Sequence, residues 1–154
     1  MNEVSIMSLL QSLWATGQRN TPYGDCAADE VAQVFEFTMP ATPLAAGDII
    51  ELAVLPATHT PTDAILVSDA LDTLAVDIGI MSGEVGDKVT ARTCGKEIFA
   101  AQAVDGTVVR TSLVSAFTIP PTDNHRSIGA KVTTAPGASI AGKKLRLLLK
   151  YVPA

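Results

Sequence analysis

The stretch Thr73-Leu74-Ala75-Val76-Asp77-Ile78-Gly79-Ile80-Met81 decides the fold. Leu74, Val76, Ile78 and Ile80 fall on one side of an extended chain, and Thr73, Ala75, Asp77 and Gly79 fall on the other. That two-residue period belongs to a half-buried antiparallel strand. The same period runs outward in both directions. Upstream, Phe35 and Phe37 share a face opposite Glu36 and Thr38. Ile50, Leu52 and Val54 alternate with Glu51 and Ala53, and Ile65 and Val67 mark a third run over 63–69. Downstream, runs cover 107–119 (broken near Ser112), 127–134 and 144–152. In the last, Leu145, Leu147, Leu149 and Tyr151 oppose Lys144, Arg146 and Lys150. Turn chemistry separates the runs: Ala46-Gly47-Asp48, Pro56, Pro61, Ser82-Gly83, Asp105-Gly106, Pro120-Pro121 and Pro136-Gly137. Seven or eight short strands punctuated in this way predict an all-β protein, an antiparallel, jelly-roll-like β-sandwich.

Two segments depart from the strand period. Lys96 to Val104 contains Glu97, Ala100, Ala101, Gln102 and Ala103 before the stop at Asp105-Gly106. Its composition predicts one short helix crossing an end of the sandwich. Near the N-terminus, Ile6, Leu9, Leu10, Leu13 and Trp14 recur at three- and four-residue spacing, the signature of one apolar helical face. Asn2 can cap such a helix and Gly17 can end it in the left-handed conformation. Gln18 to Asp25, with Pro22 and Gly24, then reads as irregular chain. Residues 1–25 are therefore expected to form a helical or extended arm, and residues 26–154 the β-domain. A helix of three turns is marginal alone in water and has to dock on something. Ile6, Leu9, Leu10, Leu13, Trp14 and Tyr23 are the candidate contacts of that arm with a neighbour.

The composition narrows the function. Hydrophobic residues make up 47 % and charged residues only 18 % of 154 residues, with aromatics at 5 %. A chain so poor in charge either has an efficient core or hides part of its surface against other chains. No apolar run approaches the roughly 20 residues of a membrane span. Met1-Asn2-Glu3 opens the chain without a basic region, unlike a secretory signal. A net charge of −5 argues against nucleic acid as a partner, which would call for a basic stripe. Cys26 and Cys94 are too few for a disulfide scaffold and lack metal spacing, so both read as buried thiols of a protein made in a reducing cytoplasm.

Catalytic chemistry finds little support. His59 and His125 sit in polar or proline-flanked stretches without Cys, Asp or Glu at zinc-ligand spacing, and read as surface loop residues. No Gly-x-Ser-x-Gly elbow offers a nucleophile. Asp69, Asp72 and Asp77 lack the alternating oxygen ligands of a calcium loop, and Asp72 fits a turn that bonds its own backbone. Asp77, a carboxylate in mid-strand between small neighbours, invites a bond from an adjacent loop or subunit. Gly137 to Lys143 has the outline of a phosphate loop, but Lys144 stands where Ser or Thr must bind magnesium. No catalytic, cofactor or metal residue is assigned.

The order of motifs from residue 31 to residue 152 resembles the decoration (cement) proteins of tailed bacteriophages. The likeness rests on Ile49-Ile50-Glu51-Leu52-Ala53-Val54-Leu55-Pro56, on Leu71-Asp72-Thr73 leading into Val76-Asp77-Ile78-Gly79-Ile80, on the Ala-rich stretch Glu97 to Val104, and on the closing Ala141 to Val152. The first 25 residues carry no part of it. What the resemblance implies is a structural role without catalysis. The protein would be synthesised in the bacterial host cytoplasm and bound to the outer surface of the capsid in the virion. Its partners would be the major capsid protein and copies of itself, as a homotrimer. Another virion β-protein, a head-fibre base or a tail component, is the alternative. A carbohydrate-binding module is disfavoured because only Trp14, Tyr23 and Tyr151 stand outside expected core positions to form a sugar platform.

Overall fold

The alternation at 73–81 becomes the greater part of an eleven-residue strand, Ala70–Ile80, with Leu74, Val76 and Ile78 wholly buried. The structure, a computed structural model, describes residues 8–26 and 29–154. Among the described residues nine strands follow in chain order: β1 (Leu9–Gln11), β2 (Val31–Thr38), β3 (Ile49–Leu55), β4 (His59–Ser68), β5 (Ala70–Ile80), β6 (Phe99–Asp105), β7 (Val108–Arg110), β8 (Arg126–Thr134) and β9 (Lys144–Pro153). They form a five-stranded sheet, β1-β3-β8-β5-β6, and a four-stranded sheet, β2-β9-β4-β7. Their inner faces share one core. Phe35, Leu66, Leu145, Leu147, Leu149 and Tyr151 come from the four-stranded sheet, and Leu52, Leu74, Val76, Ile78, Ile128 and Val132 from the other.

The pairing is nested. β5 pairs with β6, β4 with β7, β3 with β8 and β2 with β9, all antiparallel. Lateral pairing of β8 with β5 and of β9 with β4 then closes each sheet. β1 alone pairs in parallel, with β3.

Several expectations are corrected. Leu9–Gln11 is a strand at the sheet edge and not helix, and residues 13–19 are turns and bends. The edge of β3 supplies backbone partners that an isolated helix lacks: Ile49 N–H donates to Ser8 O at 2.9 Å and Ser12 N–H to Glu51 O at 2.9 Å. Gly17 does adopt the left-handed conformation, with φ 79°. Trp14 is buried and meets Phe35 edge-on at 5.3 Å. Further along, the Pro22 carbonyl accepts from the Tyr151 hydroxyl, and Gly24 N–H donates to His59 Nε2 at 3.1 Å. His59 is thus a buried strand residue and not part of a surface loop. Ile6 lies outside the described residues.

The expected crossing helix at 96–104 is strand β6. Backbone pairing to β5 overrides its helical propensity, with register shifts that leave Ala101 at φ 45°. Asp77 Oδ1 accepts from that Ala101 N–H at 2.6 Å, so the mid-strand carboxylate serves an adjacent strand. The 107–119 run reduces to β7 and a 3-10 turn at Val114–Phe117. Of the two cysteines, Cys26 is exposed, contrary to expectation.

Candidate functional site

The two sheets differ in what covers their outer faces, and that difference sets where a partner can bind. β3 is buried along its whole length, including Glu51 at 0 % exposure. Residues 81–98 fold back over this sheet. Close approach demands glycine beneath them: a Cβ at Gly79 would lie 2.4 Å from the Gly95 backbone, and one at Gly129 would lie 2.6 Å from Met81 Sδ. Arg92, 3 % exposed, anchors the cover. Its Nη1 meets Glu51 Oε1 at 3.0 Å. Its other N–H groups donate to Ser82 O at 2.7 Å, Asp87 O at 2.9 Å and Ser127 Oγ at 3.0 Å. Glu51 also accepts from Ser127 Oγ, from Gly86 N–H at 3.0 Å and from Gln11 Nε2 at 2.8 Å. This pair is fully satisfied and closed to solvent, and its work is to staple β1 and the 81–98 segment onto the sheet.

The four-stranded sheet has no such cover among the described residues. Side chains of opposite parity to its core point outward. Val34, Leu148, Ile65 and Arg110 form one cross-strand row, and Glu36, Arg146, Val67 and Val108 form the next. Val34 is 45 % and Val108 is 72 % exposed. An apolar band therefore crosses the face, flanked on both sides by ion pairs. On one side, Glu36 bonds Lys144 Nζ at 2.8 Å and Arg146 Nε at 2.9 Å, and Arg146 reaches Asp69 at 3.4 Å. On the other, Arg110 pairs with Asp63 at 2.9 Å and Lys150 with Glu30 at 3.9 Å. The Lys144 hydrogen bond, aided by Arg146, holds the Glu36 carboxyl below its ordinary range against a smaller opposing cost of burial. The Lys144 backbone N–H does the same for Asp69, again with Arg146 helping. Apolar centre and charged rim are the ordinary anatomy of a protein contact.

A second feature lies beside the β2 edge. A cleft of about 500 Å³ separates Gln11 to Arg19 from β2, lined by Leu13, Trp14, Arg19, Gln33, Val34 and Phe37. Leu13 is exposed there and Trp14 forms the floor, with the Arg19 guanidinium 5.2 Å from its ring centroid. Tyr23, 65 % exposed, lines an adjoining cleft of about 360 Å³ with Val54, Pro56, Val85 and His125. Of the expected contact residues, then, Leu13 and Tyr23 stand at the surface, while Leu9 and Leu10 are half-buried in β1. Trp14, expected among the arm's contacts with a neighbour, packs against Phe35 within its own sandwich.

The sequence reading missed the outward band. Ile65 and Val67 belong to it, because a register shift between Pro61 and Asp63 leaves Ala64 and Leu66 as the buried pair. Leu148 carried the available signal: it is a leucine out of phase, sharing a strand face with Lys144, Arg146 and Lys150. Asp69, Asp72 and Asp77 each accept from backbone N–H groups, of Lys144, Gly137 and Ala101 respectively. The Thr73 backbone N–H, with Gly137 N–H at 2.6 Å and Ala138 N–H at 3.0 Å from Oδ2, holds the Asp72 carboxyl below its usual range. No group of three metal-ligating side chains occurs among the described residues, and no helix among them is long and apolar enough to cross a membrane.

No protein-family model and no curated protein matches the chain. Two solved structures do. One, "Capsid of Ralstonia phage GP4", contains a chain 49 % identical to this one, matched over 96 % of this chain and 99 % of that chain with a TM-score of 0.91. The other, "Cyanophage Pam1 capsid asymmetric unit", matches at 15 % identity over 88 % and 93 % of the two chains with a TM-score of 0.60. The second likeness is one of fold. The first extends over nearly every residue of both chains, and the protein belongs to the same family as that chain of the phage GP4 capsid.

Proposed function

We propose that this protein is a non-enzymatic structural component of a tailed-phage virion, a decoration (cement) subunit that binds the outer surface of the shell and stabilises it. The observation that carries the reading is the 49 % identity, end to end, with a chain of a phage capsid. The nested strand pairing supports it, since wrapping a fourfold-nested hairpin into two sheets is how a jelly roll arises, an architecture common in viral capsids. The described surface adds contact features and no convergent catalytic set. In this reading the major capsid protein is the partner, Leu13 and Tyr23 with the clefts beside them face it, and the subunit acts as a homotrimer. Synthesis is in the bacterial cytoplasm, and no cofactor, nucleic acid or membrane is involved. A head-fibre base or tail component is the second reading, separated from the first by copy number.

The test is to add purified protein to phage shells assembled without it and to image the particles. Density repeated across the outer surface, in hundreds of copies, supports decoration. Few copies at a single vertex favour the second reading. No binding to shells at any concentration refutes both the partner and the location.

A further inference from the structure

We infer that the two histidines of the chain form an acid-labile latch that holds residues 22–24, and with them Tyr23, against one end of the sandwich. The chain has only His59 and His125, and both bond the same residue. The Ala57 carbonyl accepts from His59 Nδ1–H at 2.8 Å, and the Ala57 N–H donates to His125 Nδ1 at 2.9 Å. His59 Nε2 in turn accepts from Gly24 N–H at 3.1 Å. Each ring thus accepts a backbone N–H through its unprotonated nitrogen and has to be neutral to do so. Protonation makes that nitrogen a donor facing a donor, and one proton per ring ends both bonds. Imidazole is the side chain whose ordinary titration falls between about pH 5 and 8.

The surroundings offer the added charge no counter-ion. His59 is 3 % exposed, with its ring edge-on to Tyr151 at 5.5 Å. The Arg126 guanidinium reaches the His59 carbonyl at 3.4 Å and follows His125 in the chain. His125 lines one cleft with Arg19 and Tyr23 and an adjoining one with Glu84 and Arg126, and Asp25 and Asp123 stand on the same loops. Among the described residues no carboxylate lies within ion-pair distance of either ring or of Arg126. The turn that the rings clasp is itself strained, since the β-branched Thr58 has φ 64°. Once Gly24 is released, the bond from the Tyr151 hydroxyl to the Pro22 carbonyl still tethers the strap, and burial pushes that hydroxyl up to about 12, so it stays a donor. A strap held at one point in place of two lets Tyr23 leave its cleft. The latch does not depend on what Tyr23 contacts; only its effect on shell binding rests on the proposed function.

The test is amide hydrogen exchange of the full-length protein by NMR, with protection corrected for the intrinsic effect of pH. Between about pH 7.5 and pH 5, protection at Gly24 and Ala57 should fall about tenfold or more, in step with the imidazole signals, while strands β8 and β9 keep theirs. His59→Gln retains an acceptor near Nε2 that does not titrate, and should keep Gly24 protected at the lower pH. His125→Asn, at an exposed position that folding does not need, should abolish the fall at Ala57 and leave the fall at Gly24. Protection at Gly24 and Ala57 that is unchanged across this range in the wild type overturns the inference. So does a fall as large in both variants as in the wild type, which would assign it to carboxylates. Shell binding measured at the same two pH values separates the two readings: protection that falls while binding holds leaves the latch standing and removes Tyr23 from the shell contact.

Discussion

Arg92→Met tests the account of why one sheet is closed and the other open. Glu51 is 0 % exposed and its Oε1 lies 3.0 Å from Arg92 Nη1. Removing the guanidinium leaves a carboxylate in the interior with only Ser127, Gly86 and Gln11 as donors. Breaking a buried pair from one side costs about 3–5 kcal/mol, because the surviving charge has lost its counter-ion while remaining out of water. For a chain of this length, each kcal/mol lowers the melting temperature by about 2–4 °C, so a fall of roughly 10 °C is expected by calorimetry. The double variant Glu51→Leu/Arg92→Met should recover much of that loss, since no charge is then stranded. Limited proteolysis should cut first within 81–98 in the single variant, where the staple has gone. If Arg92→Met costs less than about 1 kcal/mol, as an exposed pair would, or if the two single losses simply add, the buried pair does not hold the cover down.

Other outcomes follow from particular contacts. Trp14→Ala should cost about 3–5 kcal/mol in urea unfolding, because the ring sits against Phe35 in the shared core. Deleting residues 1–20 should likewise lower the melting point steeply, whereas a freely separable arm would leave it unmoved. Glu36 and Asp69 titrate below their unfolded values, so their contribution is present above about pH 4 and is lost as pH falls through the folded pKa. Glu36→Gln should accordingly be less stable than wild type at pH 7 and equal to it near pH 2, read from melting curves across that range. Burial pushes the Cys94 thiol up to about 12 while Cys26 is exposed, so a thiol reagent at pH 8 should titrate one cysteine in the native protein and two in denaturant.

What the sequence by itself determined was whatever a strand announces within its own span. Leu74 to Ile80 and Leu145 to Tyr151 alternate because each strand has a wet side and a dry side, and a period of two needs no knowledge of the neighbours. Turn residues mark the ends by local dihedral preference. The rest was decided by partners distant along the chain. Leu9, Leu10, Leu13 and Trp14 satisfy a helical spacing, yet the unpaired edge of β3 and the ring of Phe35 make strand and turn the better use of them. Glu97 to Val104 has helical composition and becomes β6 because β5 offers a ladder. Glu51 has the phase of a solvent-facing residue, and only the return of Arg92 over the sheet, 41 positions later, makes it interior. Leu148 has the same phase and stays uncovered because no segment among the described residues returns over its sheet. Alternation tells which side of a strand is out of phase with the core. Whether that side meets water, its own chain or another copy is a property of the assembled sheets, since coverage depends on segments that approach in space from far away in sequence.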